Sequence, residues 1–586
     1  LAGRDGVDWQ GQCRAGGRVS VQRRGRTGRR TGTLAAAGDG HRNAARGIVS
    51  SGHLLAGSDV NSQIVRDSSL RLESQGDIRA SGNLLSKKNL SAAGRRVDIS
   101  DAKVSARQAA LIAQRGGVAL QHSVIDSEQL VINTAGDIDA RQAQVKAGRW
   151  DVDAHNLFNQ HAIWSQTDSN ESRFTLTGRL DNSDGTIYGR QFSFSAAALT
   201  NQRGRLLALD NVAQQWRVGG LLDNAGGEMG SNGDLQLDAG SLNNQNGTVK
   251  TQASLALNIS GTVNNNAGKL LSGQQLNLNA AGHTSNRAGE ISGTVLTVRS
   301  DGLDNTQGKV FGQQVLDLRA RQGLDNAQGL IGAGKTLAVH THGDLNNHGG
   351  KLLGGEQLNL AAAGLIGNRE GEISGESLTL TAGSMDNAGG TAQGGRQVIA
   401  AAHTLNNSGG RLQSGGDLSL NTTGDVLNRE GKLTAQQTLR VNVGSISLFD
   451  NDGGSLQSGG ALSLKGGRLT NRQAGLVFSQ NALSLGLVGE WDNQGGTLTG
   501  NGSTSVHAAG LRNARGSINS LDSLEMQFTS MLDNGQGRIF SKLSQKLDAP
   551  HINNTSGWMG SQSGWNAVTA GFDNTQGSVQ SQQSAQ

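Results

Sequence analysis

Cysteine, proline and aromatic residues are nearly absent from this chain of 586 residues. The single cysteine, Cys13, excludes an internal disulfide, and no Cys/His spacing of a zinc site is found. Pro550 is the only proline beside 88 glycines, whereas loop-rich or disordered chains usually carry many of both. Aromatic residues make up 3%, so any core is thin and filled by Leu, Ile, Val and Ala. No apolar run approaches the roughly 18–20 residues that cross a membrane, so we predict no transmembrane segment.

Charge is also unevenly distributed along the chain. Residues 1–47 contain ten Arg and three Asp without Lys or Glu, while the whole chain carries +5, so residues 48–586 carry −2. We therefore predict no nucleic-acid partner for the repeat region that follows. We interpret 1–47 as a basic, Gly/Arg-rich segment of irregular structure. The alternative is a polyanion-binding arm, whose binding would weaken steeply with salt.

The first residue is Leu, and no charged-then-apolar leader is visible near it. We therefore interpret the chain as a fragment, or as one whose start is missing.

The sequence repeats itself. GKLLSGQQLNLNAAG at 268–282 returns 82 residues later as GKLLGGEQLNLAAAG at 350–364. An asparagine that follows an apolar-x pair recurs about every 20.6 residues, with 19 steps covering 392 residues. These anchor asparagines are Asn182, Asn201, Asn224, Asn244, Asn265, Asn286, Asn305, Asn326, Asn347, Asn368, Asn387, Asn407, Asn428, Asn451, Asn471, Asn493, Asn513, Asn534, Asn554 and Asn574.

Three columns stay in register with the anchors. Glycine stands three residues later in 19 of 20 cases, an apolar residue five later in all, and an apolar residue two earlier in all but one, at Thr284. Short stretches with alternating apolar residues lie between them, which is typical of strands. The sequence predicts an all-β fold, a right-handed parallel β-helix with coils of about 20 residues. We expect glycine to supply the positive-φ corners and the asparagines to form an amide ladder at one corner.

The predicted organisation has four parts. Residues 1–47 are the basic segment, 48–155 are loosely repetitive coils, 156–580 are regular coils and 581–586 end the fragment. Gly76 and Gly136 stand 60 residues apart, which predicts three coils between them. Residues 157–178 are irregular, and we expect a coil with a bulged loop there.

Two stretches carry a family resemblance. LDNTQGKVFGQQVLDLRA at 303–320 and LNNSGGRLQSGGDLSLNTTGD at 405–425 resemble the repeats of filamentous haemagglutinins, large exoproteins of Gram-negative bacteria. The resemblance implies a secreted or cell-surface β-helical stalk, exported by an outer-membrane two-partner secretion transporter. It also implies contact with a receptor or glycan on a host or bacterial cell. The growth-inhibition effectors share this repeat, so the stalk of a toxin-delivery protein is an alternative.

A β-helical polysaccharide lyase or hydrolase is a further alternative, and it would need carboxylates clustered on neighbouring coils. Asp304 and Asp325, each before an anchor, are the best pair. That column exchanges Asp with Asn freely, which favours turn chemistry. His340 and His342 are interpreted as polar surface rather than a metal site. We predict no enzyme activity, no cofactor and no metal.

Tryptophan is large for so thin a core, so each tryptophan position raises the question whether the ring is buried or exposed. We expect Trp491, two residues before Asn493, to lie in the core or cap a corner. Trp558 and Trp565 are candidates for contact with a glycan, because exposed aromatic rings stack on sugars. The tryptophans considered are Trp150, Trp164, Trp216, Trp491, Trp558 and Trp565.

Overall fold

Strands are the only regular elements in the residues that the computed structural model describes, 13–23 and 32–585. The chain divides into two units, Leu1–Thr294 and Val295–Gln586. Within each unit, strands of one coil pair in parallel with strands of the next, about 21 residues further along. Each unit is a β-solenoid, which confirms the predicted parallel β-helix.

Register within each unit places like residues on like residues. In the first unit Leu255 pairs with Leu276, and in the second Leu337 pairs with Leu358. Inward residues alternate with outward ones, and these leucines are fully buried. Burying a leucine contributes roughly 1.5–3 kcal/mol, so the stacked columns are the main source of stability.

The loosely repetitive region is regular in space. Ile78 pairs with Val97, Val97 with Val118 and Val118 with Ile138. This series gives the three coils that the glycine spacing predicts.

The basic segment differs from its prediction. Its described part contains strands, and Gly40–Ala44 and Gly47–Ser50 pair with strands of the next coil. The irregular structure expected up to residue 47 therefore does not hold for Cys13–Ala15, Val19–Arg23 or residues 34–47, and residues 1–12 and 24–31 lie outside the described part of the chain. Gly40, Arg42 and Ala44 occupy the inward positions of the strand Gly40–Ala44. Because Gly and Arg are not apolar core residues, the sequence lacks the apolar alternation that predicts a strand. Arg42 is buried and donates to the Val49 carbonyl at 3.4 Å.

Large aromatic rings lie inside the solenoid of the first unit. Trp150 and Trp164 meet edge to face with centroids 5.6 Å apart, and Trp164 lies 5.3 Å from Phe174. Phe192 stacks on Trp216 at 5.3 Å. The core accommodates these rings because they fill it together, on successive coils. In the second unit Trp491 is fully buried, as expected.

The strands that begin in the first unit are Cys13–Ala15, Val19–Arg23, Leu34–Ala36, Gly40–Ala44, Gly47–Ser50, Leu54–Ala56, Leu70–Ser74, Asp77–Ala80, Gly82–Leu85, Asn89–Gly94, Val97–Asp98, Ala102–Ala113, Val118–Ala119, Val124–Thr134, Ile138–Asp139, Gln144–Ala154, Leu157–Phe158, Ile163–Gln166, Ser172–Leu176, Arg179–Asp181, Thr186–Gly189, Phe192–Ala196, Ala198–Thr200, Arg205–Ala208, Gln214–Asp223, Glu228–Ser231, Leu235–Asn243, Thr248–Thr251, Leu255–Ile259, Val263–Asn264, Lys269–Ser272, Gln275–Ala280, Thr284–Ser285 and Glu290–Asp304.

The strands that begin in the second unit are Lys309–Asp325, Leu330–Ala333, Thr336–Thr341, Leu345–Asn346, Lys351–Gly367, Glu372–Asp386, Thr391–Ala402, Thr404–Asn406, Arg411–Ser414, Asp417–Thr422, Val426–Leu427, Lys432–Ala435, Leu439–Asn442, Leu448–Asp450, Ser455–Ser458, Leu462–Gly466, Arg468–Thr470, Leu476–Ser479, Leu483–Leu487, Trp491–Asp492, Thr497–Gly500, Thr504–Ala508, Leu511–Arg512, Ser517–Ser520, Leu524–Phe528, Met531–Asp533, Arg538–Ser541, Gln545–Asp548, His551–Asn553, Trp558–Ser561, Gly564–Val568, Gly571–Asp573, Ser578–Ser581 and Ser584–Ala585.

Candidate functional site

The anchor asparagine opens a tight four-residue turn. In Asn244–Gly247 the Gly247 amide donates to the Asn244 carbonyl at 2.9 Å, and Asn347–Gly350 closes in the same way at 3.0 Å. The third residue of the turn has a positive φ, for example 53° at Asn246 and 60° at Gly349. Many coils put Asp, Arg, Gln or Glu at that third place. The positive-φ corner therefore lies one residue before the recurring glycine. Glycine supplies this corner in some coils, as predicted, for example at Gly226, Gly349 and Gly389, whereas in the others a non-glycine residue adopts it.

The recurring glycine is needed for space. A Cβ at Gly350 would lie 2.7 Å from Asn347 Oδ1 and 3.0 Å from Asn326 Nδ2, and it would overlap the Asn326 backbone oxygen. Gly247 has the same surroundings, formed by Asn244 and Asn224. Glycine and asparagine therefore recur together because the two amides of successive coils occupy the place of a Cβ.

The asparagine side chains lie in line inside the wall of each unit. Each Nδ2 donates to the Oδ1 of the next asparagine over 2.6–2.8 Å. In the first unit the series is Asn159, Asn182, Asn201, Asn224, Asn244, Asn265 and Asn286. In the second it is Asn305, Asn326, Asn347, Asn368, Asn387, Asn407, Asn428, Asn451, Asn471, Asn493, Asn513, Asn534, Asn554 and Asn574.

From Asn182 onward, each amide is also bonded to the backbone. Asn326 Nδ2 donates to Asn347 Oδ1 at 2.7 Å, to the Gly329 carbonyl at 3.2 Å and to the Lys351 carbonyl at 3.1 Å. Asparagines 159 to 554 of the two series are fully buried. Because a buried amide is costly unless bonded, the series fixes the register of each coil on the next.

The first member of the series, Asn159, escapes the sequence pattern. It follows the apolar-x pair Leu157–Phe158, but Ala162 rather than glycine stands three residues later. Its Oδ1 is buried and has no hydrogen-bond partner in the described part of the chain. The apolar-x-Asn signal alone would have found it, without the glycine column.

Upstream coils make the same turn without asparagine. Ile99, Leu120 and Ala140 open turns whose third residues Asp101, His122 and Gln142 have φ of 59°, 57° and 60°. All three opening side chains are fully buried. The turn is therefore a property of the backbone stack, and asparagine is one of two ways to fill it.

The side chain of the residue before the anchor asparagine stabilises the turn by accepting a backbone hydrogen bond. Asp304 Oδ1 accepts the Thr306 amide at 3.0 Å, and Asp325 Oδ1 accepts the Ala327 amide at 2.9 Å and Asn346 Nδ2 at 3.0 Å. Asparagine accepts the same backbone bond at this place, as Asn346 does from His348 at 3.1 Å. Both predicted carboxylates are thus engaged in bonds within their turns, and Asp325 also bonds to the next coil.

A polar groove of about 750 Å³ crosses several coils of the first unit. Its carboxylates alternate with cations, and Arg107 Nε lies 3.6 Å from Glu128. The hydrogen bond from the Asn170 side chain lowers the pKa of Asp168 at its edge. The charged residues of the groove are Asp67, Lys87, Arg107, Asp126, Glu128, Lys146, Asp168 and Arg190.

All 12 histidines lie within residues 13–23 and 32–585, the part of the chain that the structure describes. His340 and His342 are exposed, and this part of the chain contains no group of three or more His, Cys, Asp or Glu suited to a metal ion. No helix in the same ranges is long and apolar enough to cross a membrane.

The two predicted glycan-contact tryptophans lie on opposite sides of the wall. Trp565 points inward, is 8% exposed and lies 6.1 Å from Phe572, so the contact predicted for it is wrong. It stands eleven residues after Asn554, as the buried Leu276 stands eleven after Asn265, so the repeat predicts its burial. Trp558 points outward and is half-buried.

A family model described as Haemagglutinin repeat matches residues 14–82, 69–184, 175–258, 231–328, 312–373, 373–422, 419–486 and 467–525. The chain belongs to the haemagglutinin-repeat family. No curated protein and no solved structure matches it. The matched ranges include the haemagglutinin repeats around Ile99, Leu120 and Ala140, so the family includes coils with and without the asparagine series.

Proposed function

We propose that this chain is the structural stalk of a secreted or surface-tethered bacterial adhesin. The observation that carries the proposal is the in-register stack of haemagglutinin-repeat coils within each unit. Each coil bonds only to its neighbours, so such a stack gains length by adding coils without a new core. Its work is to hold a binding region away from the cell.

Export by an outer-membrane two-partner secretion transporter follows from the same proposal. Because each coil is completed by the coil before it, the chain folds stepwise as it emerges. Leu358 tests this step, since its side chain is fully buried between Leu337 and Leu378.

Leu358→Pro removes both a backbone donor and core volume, and we expect it to stall secretion of the full protein. Leu358→Ala is the matched control, since it keeps the amide and should leave more protein outside the cell. The measurement is the ratio of secreted to cell-associated protein. Equal secretion of the two variants would contradict stepwise folding.

A growth-inhibition role would use the same stalk. Inhibition of neighbouring bacteria by cells that display the full protein, in a co-culture competition, would favour that role over adhesion. Adherence to host cells without such inhibition supports the adhesin.

A further inference from the structure

Two outward aromatic rings and one arginine form a small surface on the second unit, here called the Trp558 platform (Arg538, Phe540, Trp558 and Gly560). Arg538 pairs with Trp558 and Phe540 with Gly560 across neighbouring strands. The rings of Phe540 and Trp558 are stacked with centroids 6.1 Å apart and planes 28° apart. The four residues therefore form one continuous patch on the outer wall.

Glycine makes the flat arrangement possible. A Cβ at Gly560 would overlap ring carbons of Trp558, so the indole lies across the glycine. The guanidinium carbon of Arg538 lies 4.6 Å from the Trp558 centroid and 5.7 Å from that of Phe540. A cation over aromatic rings is held by their negative faces.

An outward tryptophan is unusual for this wall. Trp558 stands four residues after Asn554, where ten of the other 19 anchored coils place a charged residue, as at Lys269 and Lys351, and seven place Ser or Thr. The tryptophans Trp150, Trp164, Trp216, Trp491 and Trp565 are buried in the core. A half-buried ring at a position that is otherwise mostly charged or hydroxylated indicates a surface used for contact.

Arg538 is available to a ligand. Within the described ranges its guanidinium forms no salt bridge, whereas nearby Lys546 pairs with Glu525 at 2.9 Å. Its position beside two rings provides a cation without a carboxylate partner, and a ligand carboxylate would supply one with the bidentate geometry that guanidinium favours.

We propose that the Trp558 platform binds a sugar residue that carries a carboxylate, such as a sialic or uronic acid. The C–H face of the sugar ring stacks on Trp558 and Phe540, and the carboxylate bonds to Arg538. The inference rests on the proposed function only in needing the solenoid to be outside the cell.

Glycan binding by the purified full chain tests the platform. The probes are immobilised sialylated glycans, glucuronate-containing glycans and the matched neutral glycans without the acid. We expect the wild type to retain carboxylated glycans in preference to neutral ones. Preference for sialylated over glucuronate-containing probes would identify the source of the acid.

Arg538→Gln should reduce binding of the acidic probe by about ten-fold, because it removes a charge-assisted pair. Trp558→Ala should reduce it at least as much. Phe478→Ala is the matched control, since Phe478 is an outward, half-buried ring on another coil of this unit, outside the platform.

Thermal unfolding of each variant separates binding from folding. If Trp558→Ala unfolds, Arg538→Glu is the second variant, because it changes an exposed cation and leaves the core intact. No binding of either acidic probe by the wild type, or equal binding by wild type and Arg538→Glu, would overturn the platform. Secretion of the stalk would be unaffected by that outcome, so the two proposals fail separately.

Discussion

Coils before and after Asn159 solve one packing problem in two ways. At Ile99, Leu120 and Ala140 the turn opens with an apolar side chain in the core, whereas from Asn159 onward it opens with a bonded amide. Both kinds are fully buried on the same backbone turn. Apolar stacking is therefore sufficient to build a coil, and the amides must contribute something else.

What the amides contribute is register. A neutral hydrogen bond adds about 1 kcal/mol net, which is less than burying a leucine. A slip by one residue would leave a buried amide without partners, which costs about 1–3 kcal/mol for each group. An apolar position tolerates such a slip more easily, because it has no bond to lose.

The largest effect on stability is expected from replacing the recurring glycine that packs against two asparagine amides. Gly350→Ala should destabilise the second unit by about 3 kcal/mol, since its Cβ meets two amides and a backbone oxygen. Gly349→Ala is the matched control, because its Cβ would lie 3.6 Å from the nearest atom, Gln328 Cγ. We expect it to cost about 1 kcal/mol through its positive φ alone. Chemical denaturation checks both, and equal losses would show that crowding between amides is unimportant.

Lowering the pH should destabilise the second unit through a charged residue in a turn of the asparagine series, Asp452. Burial alone would raise the pKa of Asp452, but bonds from the side chain and backbone of Arg472 bring the pKa below its ordinary value of 3.8. The contribution of Asp452 is therefore complete above about pH 4 and is lost as the pH falls towards the lowered value.

Asp452→Asn removes this titration. We expect the wild type to lose more of its thermal midpoint between pH 7 and pH 3 than the variant does. Ser408→Asn, at the equivalent place beside Asn407, is the neutral control and should follow the wild type. The same acid-induced loss in all three proteins would contradict a role for the Asp452 carboxylate.

The smallest expected effect comes from extending the series by one coil. Ala140→Asn would offer an amide to the buried Asn159 Oδ1, and Ala162→Gly would clear the space that every later coil clears. Because the new amide leaves its own Oδ1 without a partner, the total stability should change little. A double-mutant cycle should show favourable coupling of about 1 kcal/mol between the two substitutions. Simple additivity would mean that asparagine and glycine recur together for another reason.

Much of this architecture is readable from the sequence. The anchor spacing and the apolar columns give the solenoid, because a side chain that repeats once per coil must stack on itself. Trp491 and the turn role of Asp304 and Asp325 follow from the same columns. The burial of Trp565 also follows from these columns, because it stands eleven residues after Asn554.

Other features depend on contacts that a linear pattern does not show. The glycine column suggests a special backbone angle, and only the positions of two amides show that space is the reason. Arg42 and Gly40 occupy inward positions where the pattern expects Leu or Val. The Trp558 platform is formed by residues from neighbouring coils, so no local sequence motif predicts it.

The amide series has a direction. Between the ends of a series, each carboxamide donates towards the following coil and accepts from the preceding one, so the two faces of such a coil are chemically distinct. A copied block of whole coils begins with an acceptor and ends with a donor, which lets duplication occur without a mismatch at either junction. Coils meeting in the opposite sense would set N–H against N–H, so growth by this route runs one way only.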